Sequence, residues 1–185
     1  PEGNSPKDLP RFFGGFFAAL RMTTTSTMTS TLLELRDLVI GYPGRELCTP
    51  LSARIPAGAC VGIIGANGSG KTTLVKTLLG QQRPFAGTCR WPQTPAIGYV
   101  PQENELDPIF PLTVNDLLKM GLTSGLPRLA PVGPRFREAA AAVLEEMGIA
   151  ELGPQLVREL STGQRQRALL ARALIAKPGV LILDE

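Results

Sequence analysis

Hydrophobic and polar positions along this chain recur with two different periods, and the changes of period mark its elements. From Leu32 to Ile40, Leu33, Leu35 and Asp37 share one phase while Glu34 and Arg36 share the other. That is the period-two pattern of a half-buried strand. Gly41-Tyr42-Pro43-Gly44 reads as a turn, Glu46 to Ile55 as a second strand, and Pro56-Ala57-Gly58 as a second turn. An unbroken apolar run, Cys60 to Ile64, then predicts a third strand. The period changes at Lys71. Leu74, Val75, Leu78 and Leu79 fall on one face of a helix that Gly80 stops. Two short strands are expected after it, at Gly87 to Trp91 and Ile97 to Val100.

Between residues 103 and 160 the helical period dominates. Thr113 with Asp116 three residues on is an N-cap signal for a short helix carrying Val114, Leu117 and Leu118 on one face. Gly121 to Pro134 is rich in glycine and proline and reads as a loop. Pro134 opens an amphipathic helix in which Phe136, Ala139, Ala140, Val143, Leu144 and Met147 line one face, and Gly148 ends it. A last helix is expected from about Arg165 to Ala176, broken by Lys177-Pro178-Gly179 and followed by the apolar run Val180 to Leu183. The pattern is that of an α/β core interrupted by a helical subdomain at about 103–160. Residues 1–31, with their Phe/Gly patch and Thr/Ser tract, match neither period. They are expected to be a disordered or non-native extension, with Met22 and Met28 as alternative starts, so that residues 32–185 form the folded domain.

Composition narrows the function classes. The chain has 185 residues, is 43% hydrophobic and 19% charged, and carries a formal net charge of +3. This is a globular balance, with too little net charge to argue for nucleic acid. Histidine is absent, which excludes Ser–His and Cys–His nucleophile pairs and histidine metal sites within these residues. Cys48, Cys60 and Cys89 form no C-x-x-C pair, so neither a disulfide framework nor a zinc site is expected, and a reducing cytoplasm fits. The Phe12 to Leu20 patch is far shorter than the roughly 20 apolar residues of a membrane span.

The stretch Gly65-Ala66-Asn67-Gly68-Ser69-Gly70-Lys71-Thr72-Thr73 carries the clearest chemistry. Gly65 to Thr72 satisfies G-x-x-x-x-G-K-[ST] at every fixed position, between a predicted strand and a predicted helix. Glycines let the backbone turn tightly and approach phosphates closely, and the helix N-terminus presents N–H groups to an anion. Lys71 can neutralise β- and γ-phosphates, and the Thr72 hydroxyl can hold Mg²⁺. The run Val180 to Leu183 ends in Asp184 and Glu185. An acid at the end of a buried strand suits a Mg²⁺–nucleotide site, with Asp184 toward the metal and Glu185 placed to orient or deprotonate a water. Leu160-Ser161-Thr162-Gly163-Gln164 has the form of a helix N-terminus, with Ser161 as N-cap.

Taken together, Gly65 to Thr72, Leu160 to Gln164, Arg165-Gln166-Arg167, Ala171-Arg172-Ala173-Leu174 and Val180 to Glu185 resemble the ATP-binding cassette (ABC) ATPase subunits, over about Leu32 to Glu185. Pro101-Gln102-Glu103 is similar to the family's glutamine loop. The resemblance implies a P-loop NTPase (RecA-like) core with an antiparallel β subdomain and a helical insertion. It implies ATP and Mg²⁺ as ligands, and hydrolysis at sites formed between two subunits in a head-to-tail dimer. In that scheme Gln102 senses Mg²⁺ and the transporter partner, Asp184 supports the metal, and Glu185 is the catalytic base. Ser161, Thr162, Gly163 and Gln164 close over the ATP of the opposite subunit, and Tyr42 takes the place of the adenine-stacking aromatic. The implied partners are an integral membrane permease and a solute-binding protein, at the cytoplasmic face of the cell membrane, with no nucleic acid expected.

A narrower likeness runs through Asp107-Pro108-Ile109-Phe110-Pro111-Leu112-Thr113-Val114, Asp116 and Met120-Gly121, which is similar to importers of zinc, manganese and related metals. Two departures stand out. Thr162 sits where the family usually has glycine, and the family continues beyond Glu185 with an aspartate loop, a switch histidine and further strands. The chain is therefore expected to be truncated and inactive by itself. The rival readings are an ABC-type ATPase acting on ribosomes or DNA, and a fragment without activity.

Overall fold

The computed structural model describes residues 19–23, 30–101, 111–122 and 133–184. They fall into two compact units, Pro1–Thr94 and Pro95–Glu185.

Within the segment read as an extension, Ala19–Thr23 forms strand β1; positions 1–18 and 24–29 lie outside the described residues. The first unit contains an antiparallel sheet of β2 (Thr31–Val39), β5 (Leu51–Pro56) and β7 (Ala86–Arg90), with β2 in the middle. Leu33 and Leu35 are buried, as their period requires, and Glu34 stands opposite Arg54 and Arg90. Arg36 and Arg54 both donate to the Glu34 carboxylate. The Arg36 bond first, then that of Arg54, holds its pKa below the ordinary carboxylate value. Asp37 does not continue the inward phase as expected. It adopts a left-handed φ of 45° at an irregularity of the strand. There its N–H donates to Ser52 Oγ, and the Ser52 hydroxyl donates back to its carboxylate. The irregularity resets the phase, so Leu38, Val39 and Ile40 are buried in succession.

The strand expected from Glu46 to Ile55 is two elements. Arg45–Glu46 is β4, which pairs with β3 (Gly41–Tyr42) in a small hairpin, and β5 begins only at Leu51. The hairpin is closed at its base by Leu47 N–H donating to Ile40 O at 2.9 Å. β6 (Cys60–Ile64) forms over the apolar run as expected and leads to α1 (Lys71–Leu78). β1 pairs antiparallel with β6, from Ala19↔Ile64 to Thr23↔Cys60. The core under these elements gathers Leu33, Leu35, Leu38, Ile40 and Leu74, with Leu47, Ile55, Ile63 and Trp91 packed against it. Thr73 and Thr77 are buried on α1, whereas Leu78 and Leu79, expected on the inward face, are only half-buried. Thr77 is tolerated there because its hydroxyl donates to Thr73 O at 2.8 Å.

The second unit pairs β8 (Ile97–Val100) with β9 (Val180–Leu183) in parallel register, Ile97↔Val180 to Val100↔Leu183. Parallel neighbours need a long crossover, and the helices supply it. They are α2 (Val114–Leu122), α3 (Pro134–Glu146) and α4 (Thr162–Leu174), with short 3₁₀ turns at Ala150–Leu152 and Val157–Glu159. α2 takes in Gly121 and Leu122, the start of the expected loop, whose remainder at 123–132 lies outside the described residues. Val114, Leu117 and Leu118 of α2 are fully buried, and Ala140, Val143 and Leu144 of α3 join them, as the helical period requires. Ala168, Leu169 and Ala171 of α4 join this core, as do Ile149, Leu152 and Leu160 from the segment before it. α4 starts three residues before the expected Arg165, because Ser161 and Gln164 close its first turn. Helices inserted between parallel strands make this unit α/β, and the first unit adds the antiparallel sheet. Ile64, Leu181 and Leu183 are exposed apolar side chains on β6 and β9.

Candidate phosphate-binding site

Strand β6 delivers the chain to a loop, residues 65–70, that ends at the first residue of α1. Gly68 and Gly70 have φ values of 78° and 90°, a region an L side chain enters only at a cost of about 1–2 kcal/mol. At Gly70 the restriction is also steric. A Cβ there would come within 3.1 Å of Ile40 Cδ1 and 3.6 Å of Leu47 Cδ1, the residues at the base of the β3–β4 hairpin. The loop is therefore seated on that hairpin as well as on its own strand.

Gly70 is the N-cap of α1 and supplies no side chain, so no side-chain cap hydrogen bond closes this terminus. The first turn carries no acid. The helix end thus presents the positive end of its dipole to an anion. Lys71 Nζ donates to Gly65 O at 2.9 Å and to Ala66 O at 3.1 Å, which lays its ammonium back across the loop. Ser69 N–H donates to Ala66 O, and the Ser69 hydroxyl is buried with no hydrogen-bond partner among the described residues. Asn67 lies on the exposed part of the loop, and Thr72 is half-buried at the start of α1. A cation, an uncapped helix end and a buried hydroxyl lacking a partner form a donor set that fits a polyphosphate.

Tyr42 is half exposed, and its Oη lies 3.2 Å from Thr73 Oγ1. Thr73 itself is buried on α1, two residues beyond Lys71. Gln82 Nε2 donates to Gly41 O at 2.6 Å and holds the backbone beside Tyr42. No local pattern marks Gln82, since its partner lies 41 residues away.

In the second unit, Ser161 and Gln164 cap α4 reciprocally. Gln164 N–H donates to Ser161 Oγ at 3.3 Å, and Ser161 N–H donates to Gln164 Oε1 at 2.9 Å. Ser161, Thr162 and Gly163 are exposed, while Gln164 is half-buried. Asp184 follows β9 directly and extends the parallel pairing, its N–H donating to Val100 O at 3.0 Å. Gln102 and Glu185 lie outside the described residues. Asp107 to Phe110 of the narrower likeness also lie outside them, whereas Thr113, Val114, Asp116 and Met120-Gly121 are on or beside α2.

A family model described as ABC transporter matches residues 48–185. A zinc import ATP-binding protein, ZnuC, of Marinobacter nauticus is 40% identical over 158 residues, covering 85% of this chain and 57% of the relative. An ABC transporter ATP-binding protein from the ycf23-apcF intergenic region of Cyanophora paradoxa is 35% identical, over 83% of this chain and 65% of its own length. The chain thus spans somewhat over half the length of the curated relatives it matches. Among solved structures, a metal-chelate type ABC transporter in an inward-facing conformation aligns with a TM-score of 0.72 at 29% identity. The alignment covers 84% of this chain and 60% of that one. The cbiO1 structure from Clostridium perfringens, part of the transporter complex cbiONQ, aligns with a TM-score of 0.63 at 26% identity, over 84% of this chain and 65% of its own.

Proposed function

The chain belongs to the ABC transporter family, and from that premise we propose that it is the ATP-binding and ATP-hydrolysing part of a metal-ion importer. The observation that carries the reading is the uncapped N-terminus of α1, with Lys71 lying across the carbonyls of Gly65 and Ala66. A triphosphate offers that ammonium a better acceptor than two neutral carbonyls, because hydrogen bonds between ionised partners are the stronger kind. On binding, Lys71 swings from the carbonyls to the phosphates, and the loop backbone about Asn67, Gly68, Ser69 and Gly70 wraps them. The Tyr42 ring receives the adenine. Thr72 and Asp184, with Gln102, are the residues that would hold Mg²⁺. The ion would neutralise phosphate charge when bound.

Glu185 is the proposed general base, accepting a proton from the water that attacks the γ-phosphate in line. Positioning and electrostatics supply most of the acceleration in such reactions. Ser161, Thr162, Gly163 and Gln164 would meet the ATP of a second copy arranged head to tail. The proposed domain runs over residues 32–185, with its helical subdomain at about 103–160, and strand β1 of the preceding segment pairs onto its strand β6. The partners in this reading are a membrane permease and a solute-binding protein, with the ATPase on the cytoplasmic face. Zinc is favoured as cargo because relatives from Marinobacter nauticus and Photorhabdus laumondii are named for zinc import. The test is Glu185→Gln in the protein with its permease. ATP affinity should persist while turnover falls by about two orders of magnitude or more, the usual scale for losing a general base. Unchanged turnover would remove Glu185 from the role.

A further inference from the structure

A ring that stacks on a base is useful only if it is held in place before the base arrives, since ordering it on binding would cost affinity. Tyr42 has few local means of being held. It sits in a two-residue strand, β3, at the lip of a small hairpin, and its side chain is half exposed. What fixes it lies elsewhere in the sequence. Its Oη is 3.2 Å from Thr73 Oγ1, on a buried side chain of the first turn of α1. Its backbone neighbour is held by Gln82, through the 2.6 Å bond to Gly41 O. The base of the same hairpin packs on the loop, Ile40 and Leu47 both reaching Gly70.

We infer that Thr73, expected from its place in the sequence to belong to the phosphate-binding stretch, is instead a positioning residue for base recognition, acting on the nucleotide through Tyr42 rather than through the phosphates. The inference rests on the reading of Tyr42 as the base-stacking ring. It explains why a hydroxyl is useful on both partners. Thr73 is buried, so its hydroxyl needs a partner, and the phenol 3.2 Å away provides one. With its Oη engaged by Thr73, Tyr42 offers the nucleotide its π-face. The same helical turn thus carries Lys71 for the phosphates and, through Thr73, sets the ring for the base. Filling the phosphate loop and presenting the ring become properties of one rigid element.

Affinities of the full chain for ATP and for inorganic triphosphate separate these roles, because only ATP has a base. Tyr42→Ala should weaken ATP binding about tenfold or more, the scale of a lost base–aromatic stack. It should leave triphosphate binding within about twofold of the starting value, a change smaller than one hydrogen bond. Thr73→Val and Tyr42→Phe each remove one hydroxyl of the pair. Each should weaken ATP about three- to tenfold, as for a lost hydrogen bond, with triphosphate unchanged. The double variant should be no weaker than either single one, and Thr73→Ser should restore ATP binding. If Tyr42→Ala leaves ATP affinity intact, the stacking reading fails and this inference with it. If Tyr42→Ala weakens ATP but Thr73→Val and Tyr42→Phe do not, stacking stands and the tether is overturned. Equal loss of ATP and triphosphate in Thr73→Val would overturn the tether by placing Thr73 in the phosphate loop instead.

Discussion

The N-termini of α1 and α4 are both proposed to meet phosphate, α4 that of a second copy, yet their caps are built in opposite ways. At α4 the chain satisfies itself. Ser161 Oγ accepts from the third helical N–H, and the Gln164 side chain accepts from the Ser161 N–H. At α1 the cap is Gly70, with no side chain and a backbone φ of 90°, and Lys71 bends back to loop carbonyls. A closed capping box stabilises the fold whether or not a ligand comes, whereas an open cap presents its end to a ligand. α2 follows the closed pattern, with Thr113 and Asp116 exchanging hydrogen bonds across its first turn. α3 has a glycine cap too, Gly133, but Pro134 in its first turn lacks the N–H that would need a partner. An uncapped helix is therefore not enough to mark a phosphate site; the cation and the strand-delivered loop distinguish α1.

The strongest effect on this contrast is expected from Lys71→Ala. Hydrogen bonds to charged groups contribute about 1.5–3 kcal/mol, so triphosphate affinity should fall by a factor of about 10 to 100. Titration calorimetry reads this directly, and an unaltered affinity would leave α1 no different in kind from α3. Gly70→Ala comes next. The left-handed backbone and the 3.1 Å approach of Ile40 Cδ1 should together lower stability by about 1–2 kcal/mol or somewhat more. A denaturant midpoint that does not move would mean that the open cap is not conformationally enforced.

Ser161→Ala should cost about 1 kcal/mol of stability, from losing the box at α4. The same chain's phosphate loop should bind inorganic triphosphate as before, and a parallel loss of binding would erase the distinction between a structural cap and an open one. The smallest effect is expected at α2. Lys119, then the Thr113 hydroxyl, holds the Asp116 pKa below its ordinary value. The stabilisation from this group is present above the unfolded carboxylate pKa of about 3.9 and is lost as pH falls through the lowered folded value. Asp116→Asn should flatten that acid limb of the stability profile. Added salt should shrink the difference, because the Lys119 pair is well exposed. An acid limb identical in both proteins would remove Asp116 from this role.

Legibility in the sequence follows the range of the forces involved. The strand Cys60–Ile64, the glycine loop at 65–70, the helix from Lys71 and the buried face of α2 are readable because period, cap and glycine spacing are local properties. Period two fails at Asp37 because that residue adopts a left-handed conformation, with Ser52 fifteen residues away completing its turn. The run from Glu46 to Ile55 looks like one strand because the bond that closes the hairpin, Leu47 to Ile40, has no sequence signature.

The features on which the phosphate proposal rests are local: the two left-handed glycines, the lysine and the helix start are encoded within a few positions of one another. Which helix ends close on themselves is settled in the same way, since Thr113/Asp116 and Ser161/Gln164 are three residues apart. That Tyr42 is held by Thr73, that Gln82 steadies Gly41, and that Gly70 rests against Ile40 and Leu47 are outcomes of folding. Those contacts join residues up to 41 positions apart. Side chains so separated meet only once burial of a common core has brought their elements together, and no local pattern of polar and apolar residues records which of them will touch.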